Sequence, residues 1–114
     1  MINSLRYAAI LAAALFVLPI GNQAFAADTS YALTLKDHKF SPAELTIPAN
    51  TKVKISLKNL DKETAEFISD DFKGGKLVPG GKEASFFIGP LKAGVYEFHD
   101  EYHEAQSKTR LTVK

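Results

Sequence analysis

Two short segments hold all three histidines of this 114-residue chain. One is His99-Asp-Glu-Tyr-His-Glu104, which sets Tyr102 among acids and imidazoles. The other is Lys36-Asp-His-Lys-Phe-Ser-Pro42, which carries His38. Carboxylate oxygens and imidazole nitrogens are the donors that hard and borderline cations take. The same compositions also fit a solvated polar loop and an exposed loop histidine beside a bend, since charged loops are ordinary. There is no cysteine, and Met1 is the one methionine, so no thiolate is available for a soft-metal, redox or nucleophilic role. The chain has no HExxH, no CxxC, no phosphate-binding glycine loop and no nucleophile elbow. Enzyme motifs are absent, and the chemistry in reach is coordination.

A single domain must position these donors, because 114 residues are too few for two. Residues 1–26 read as an export signal and 27–114 as the domain. Arg6 charges a short n-region, an apolar run follows to Ile20, and Ala24-Phe25-Ala26 has the small-x-small pattern of a cleavage site. Cleavage is expected before Ala27. The run from Ala8 to Ile20 is 13 residues, short of the roughly 20 that span a bilayer. No membrane insertion is expected after cleavage, and the expected compartment is the periplasm. Without Arg6, 13 acidic residues balance 13 basic ones, so there is no electrostatic case for nucleic acid or an anionic membrane.

After residue 26 the pattern is one of strands. Tyr31, Leu33 and Leu35 alternate with small or polar neighbours, as do Leu45 and Ile47. Lys52 to Lys58 alternates strictly, with Val53, Ile55 and Leu57 on the inward face. Pro48-Ala49-Asn50 and Pro79-Gly80-Gly81 are turns. Glu66 to Ile68, Glu83 to Ile88, Gly94 to Phe98 and Thr109 to Val113 complete about seven short strands, the spacing of a sandwich or barrel. Asp70 to Gly75 is a surface excursion, and Phe72 within it reads as an ordinary loop aromatic. Tyr96, Phe98 and Asp100 share one strand face, directed into the core and then the site. His99 and Glu101 are expected to face outward.

Over Tyr31 to Val113 the sequence resembles the cupredoxins. Phe40-Ser-Pro42 with Leu45-Thr-Ile-Pro-Ala-Asn50 is similar to that family's F-x-P…I-x-V-P-A-G passage. Asn59-Leu-Asp61 is similar to the N-x-D loop before the first copper histidine, and Gly94-Val-Tyr-Glu-Phe98 to the strand leading into the ligand loop. The resemblance implies an all-β, Greek-key sandwich. It lays Glu66 on the first His position, Asp100 on the Cys, His103 on the second His, and Gln106 to Lys108 on the Met. Of the four ligands only His103 keeps its identity, so a blue-copper electron carrier is excluded. The same alignment brings His38 to the metal end. The implied site is a nitrogen–oxygen set of Glu66, His103, Asp100, Glu101 and His38, with Glu104 beside it, suited to iron or to Cu(II).

Lys36 to Pro42, Glu66-Phe67, Gly89-Pro-Leu-Lys92 and Glu101-Tyr-His-Glu104 also resemble the small cysteine-free cupredoxin-like proteins that accompany bacterial ferrous-iron uptake systems. That resemblance implies work in iron uptake beside a periplasmic iron-binding protein and an iron permease, with at most an accessory ferroxidase-like activity. Two other functions fit the same residues. One is a periplasmic copper-binding chaperone or resistance protein. The other is a metal-free interaction module that kept the sandwich and lost the site.

Overall fold

The computed structural model describes residues 30–114. The expected signal segment and its cleavage site lie outside them. Among the described residues nine strands run in chain order: β1 (Ser30–Lys36), β2 (Lys39–Ser41), β3 (Glu44–Ile47), β4 (Val53–Asn59), β5 (Ala65–Ile68), β6 (Lys76–Val78), β7 (Glu83–Ile88), β8 (Gly94–Asp100) and β9 (Thr109–Val113). Between β8 and β9 lie a 3-10 turn, Glu101–His103, and one helical turn, α1 (Glu104–Ser107). Among the described residues no helix is long and apolar enough to cross a membrane.

The strands form two sheets, ordered β2-β1-β4-β7 and β3-β9-β8-β5-β6. The chain crosses between sheets repeatedly. This leaves β1 parallel to β4 and β3 parallel to β9, while the other pairs are antiparallel. Alternation sets which side chains fill the sandwich. On β4, Val53, Ile55 and Leu57 are fully buried, as their spacing predicts. Leu33, Leu35, Phe86 and Ile88 join them from the first sheet. Leu45, Ile47, Phe67, Val78, Phe98, Leu111 and Val113 close over them from the second.

An aromatic cluster underlies the end of β8. The ring of Phe98 lies 4.6 Å from that of Phe67 and 5.1 Å from that of Phe40, and Phe67 lies 4.7 Å from Phe86. These are separations at which tilted and offset aromatic pairs attract. Phe98 is two residues before Asp100 on the same face, so the apolar core ends where the polar cluster begins.

Two of the nine strands lie beyond the expected seven: β6, in the stretch that leads into the Pro79 turn, and β2. Lys36 to Pro42 contains a hairpin rather than a loop. β1 and β2 pair with Lys36 opposite Lys39, so only Asp37 and His38 make the turn. Both have positive φ, 53° and 63°, the combination of a type I′ hairpin. That turn normally announces itself by Asn-Gly, which is absent here. Asn50 behaves as its type predicts, with φ of 56° in the turn after β3.

Candidate metal centre

Each donor at the β8 end of the sandwich is held by a different part of the chain. Asn59, the last residue of β4, is fully buried. Its Nδ2 donates to the carbonyls of Glu63 (2.7 Å) and Val78 (3.0 Å), and its Oδ1 accepts the N–H of Asp61 at 3.0 Å. One amide side chain thereby fixes the loop 59–64. Gly80 packs against that loop so closely that a Cβ would stand 2.0 Å from the Lys62 carbonyl oxygen, which leaves room only for glycine.

The loop in turn fixes His38. The Asp61 carboxylate accepts the backbone N–H groups of Asp37 (2.6 Å) and His38 (3.0 Å), and its Oδ2 lies 3.6 Å from His38 Nδ1. A left-handed conformation costs roughly 1–2 kcal/mol per non-glycine residue. Charge-assisted bonds from Asp61 offset that cost. The turn is therefore stabilised from 24 residues away rather than by its own composition.

Asp100 and His103 are placed by the segment after β8. Asp100 is 1% exposed. Its Oδ1 accepts the N–H groups of Glu66 (2.9 Å) and Tyr102 (3.2 Å), and its Oδ2 lies 3.3 Å from His103 Nδ1. Buried Ser107 ties the two ends of the turn: its Oγ accepts the Asp100 N–H at 2.7 Å and donates to the His103 carbonyl at 2.8 Å.

These supports bring His38, Asp100 and His103 together, with one ligand atom from each lying within 4.8 Å of the others. The two imidazoles stack, centroids 3.6 Å apart and planes inclined by 16°. Glu63 Oε1 caps the pair, 3.8 Å from His38 Nε2 and 3.7 Å from His103 Nε2. Both histidines are half-buried, whereas the Glu63 side chain is 67% exposed and free to move. Lone pairs of imidazole lie in the ring plane, so parallel rings do not aim at one point. Shared coordination requires one ring to rotate, and the exposed rim lined by Asp37, His38, Asp61, Lys62 and Glu63 leaves room for that.

Three of the five residues proposed from sequence are thus in one group, and two are not. Alternation on β5 turns Ala65 and Phe67 to the core and Glu66 to the opposite face; Glu66 serves Asp100 through its backbone N–H. The carboxylate of Glu101 lies 3.4 Å from His99 Nε2, away from His103. His99 itself departs from the expectation of an outward, solvated residue. It is on the face opposite Phe98, but only 3% exposed, with Glu101 and Glu104 of the following segment and Asp70 beside it. Sequence reasoning missed Glu63 and Asp61 as neighbours of the histidines. The resemblance of Asn59-Leu-Asp61 to the ligand-preceding loop was the available signal for them.

The comparisons with known proteins agree with this architecture. The family model described as the cupredoxin-like domain matches residues 8–113, and the chain belongs to that family. An uncharacterized protein of Rickettsia prowazekii (strain Madrid E) is 35% identical over 81 residues, 71% of this chain. The match covers 65% of that relative's length. Among solved structures, auracyanin of Roseiflexus castenholzii superposes with a TM-score of 0.64 at 17% identity, covering 75% of this chain and 97% of its own. The metal-binding domain of the Cu(I)-exporting P-type ATPase of Streptococcus pneumoniae D39, determined with Cu(I), gives 0.63 at 15% identity, covering 75% and 84%. At such identities the likeness is one of fold.

The donor set does not fit the blue-copper centre of the fold family. That centre needs a cysteine thiolate, and this chain has none. Two imidazoles and two carboxylates fit instead a nitrogen–oxygen site for Cu(II), Fe, Mn or Zn.

Proposed function

We propose that this protein is a periplasmic metal-binding cupredoxin without a thiolate, which holds a first-row cation on His38, Asp100 and His103 and works in iron uptake. The observation that carries the reading is the convergence of these three donors at one end of the sandwich. Glu63 is the fourth donor, since its carboxylate already lies against both imidazoles. Glu66 and Tyr102 position Asp100 through their backbone N–H groups, and Asp61 positions His38. Carboxylate-rich sites prefer harder ions, so ferric iron gains more than ferrous iron from this set. Such a preference makes bound ferrous iron easier to oxidise by an external one-electron acceptor. An iron-binding protein and an iron permease are the partners this role requires. Copper is the other cargo that the fold's relatives favour, and Cu(II) stands above iron in affinity for a mixed N/O site.

The test is anaerobic calorimetric titration of the metal-free protein with Fe(II), Mn(II), Zn(II) and Cu(II), repeated on His103→Ala. Saturable binding is expected, with the substitution removing one equivalent of it; a stoichiometry and affinity unchanged by the substitution overturn the assignment. The physiological cargo is decided separately, by deleting the gene. Loss of iron accumulation with unchanged copper tolerance supports iron uptake, and the reverse assigns the protein to copper handling.

A further inference from the structure

We propose a second cation site on the opposite face of β8, formed by Asp70, His99 and Glu104 with Glu101 beside them. It is independent of the site at His103. His99 and Asp100 are consecutive, so strand geometry sends them to opposite faces and gives each its own surroundings.

The case rests on a buried imidazole without a hydrogen bond of normal length. The His99 side chain is 4% exposed. Buried ring nitrogens are almost always hydrogen-bonded, at about 2.7–3.2 Å between heavy atoms. Among the described residues, the contacts of this ring with polar side chains are Nε2 to Glu101 Oε1 at 3.4 Å and to Glu104 Oε1 at 4.0 Å. Both are longer than that range, and both are to carboxylates. The imidazole is therefore aimed into a group of acids, and a single long hydrogen bond, to Glu101, is what it makes with them.

The spacing is that of ligands around an ion. First-row cations bind imidazole nitrogen and carboxylate oxygen at about 2.0–2.2 Å, which makes the edge of a tetrahedron about 3.4 Å. The His99–Glu101 distance already has this value. Asp70, His99 and Glu104 each offer an atom within 4.8 Å of the others, and the two carboxylates are exposed, so rotation of their side chains closes the remainder. Three acids around one imidazole repel one another, and a divalent cation removes that repulsion. One nitrogen with two or three oxygens suits Mn(II), Fe(II), Co(II) or Zn(II), whereas Mg(II) and Ca(II) take oxygen alone.

The probes are Zn(II) by calorimetry and Mn(II) by paramagnetic broadening of the histidine ring signals. The variants are His103→Ala, the double variant Asp70→Asn/Glu104→Gln, and the three changes combined. Asp70 and Glu104 are exposed, so the double variant leaves the fold intact. The wild type is expected to take two Zn(II) and each single-site variant one, with the affinity of the altered site falling about 10-fold or more. The combined variant takes none. Mn(II) broadens His99 in the His103→Ala protein and spares it in the double variant. Retention of Zn(II) by the double variant alone would establish the inner site and overturn this one. Retention by His103→Ala alone would do the opposite. Absence of His99 broadening would reduce the cluster to an imidazolium among acids and overturn the proposal.

Discussion

Phe98 and Asp100 stand two residues apart on the same face of β8 and are equally buried, yet they are stabilised by different means. Phe98 is surrounded by Phe40 and Phe67, which supply area and shape without directional demands. Asp100 is surrounded by two backbone N–H groups and an imidazole, each fixed by its own segment. The first environment holds the fold together. The second fixes the position of a charge. The core rests on apolar contact, while the donors keep their arrangement through hydrogen bonds to segments that the sandwich holds in place.

Phe98→Ala removes the centre of the aromatic cluster and is expected to cost about 3–5 kcal/mol of stability in denaturant unfolding. That is the largest effect and falls wholly on the core side of the comparison. Gly80→Ala comes next. Its methyl group meets the Lys62 carbonyl, so about 1–3 kcal/mol is lost, and the displaced loop carries Glu63 and Asp61 away from the histidines. Metal affinity should drop although no donor has changed. A Gly80→Ala protein with wild-type titration curves would show that the loop's placement does not matter to the site.

Asp61→Ala releases the two N–H groups of the hairpin turn, for about 1–2 kcal/mol. Metal affinity should again fall with His38 and His103 both in place, and Asp61→Asn should recover part of it. His103→Ala is the smallest change in stability, within about 1 kcal/mol, because the residue is partly exposed at the end of the sandwich. It is also the most complete loss of metal at the site of His38, Asp100 and His103. If His103→Ala destabilised as severely as Phe98→Ala, the histidine would belong with the core, and the contrast would collapse.

The core side was readable in the sequence because strand alternation is a local pattern: Val53, Ile55 and Leu57 declare their face within seven residues. The site was readable only in part. His38, Asp100 and His103 were marked by type and by the resemblance of their surroundings. That Glu66 contributes its backbone rather than its carboxylate depends on a register between β5 and β8 that no local pattern encodes. The turn of Asp37 and His38 was hidden because its support is the Asp61 carboxylate, not a glycine. The burial of His99 was hidden because Asp70 and Glu104, which lie beside its ring, come from two separate segments of the chain.

The two stacked histidines come from opposite ends of the domain, 65 positions apart in the chain. A cation held by both would join them as a disulfide joins two cysteines, in a protein that has no cysteine to oxidise. By the loop-closure entropy of cross-links, a ring of that length restricts the unfolded chain by about 4 kcal/mol. The bound ion would then be a reversible staple, and the melting temperature of the domain would report its metal occupancy.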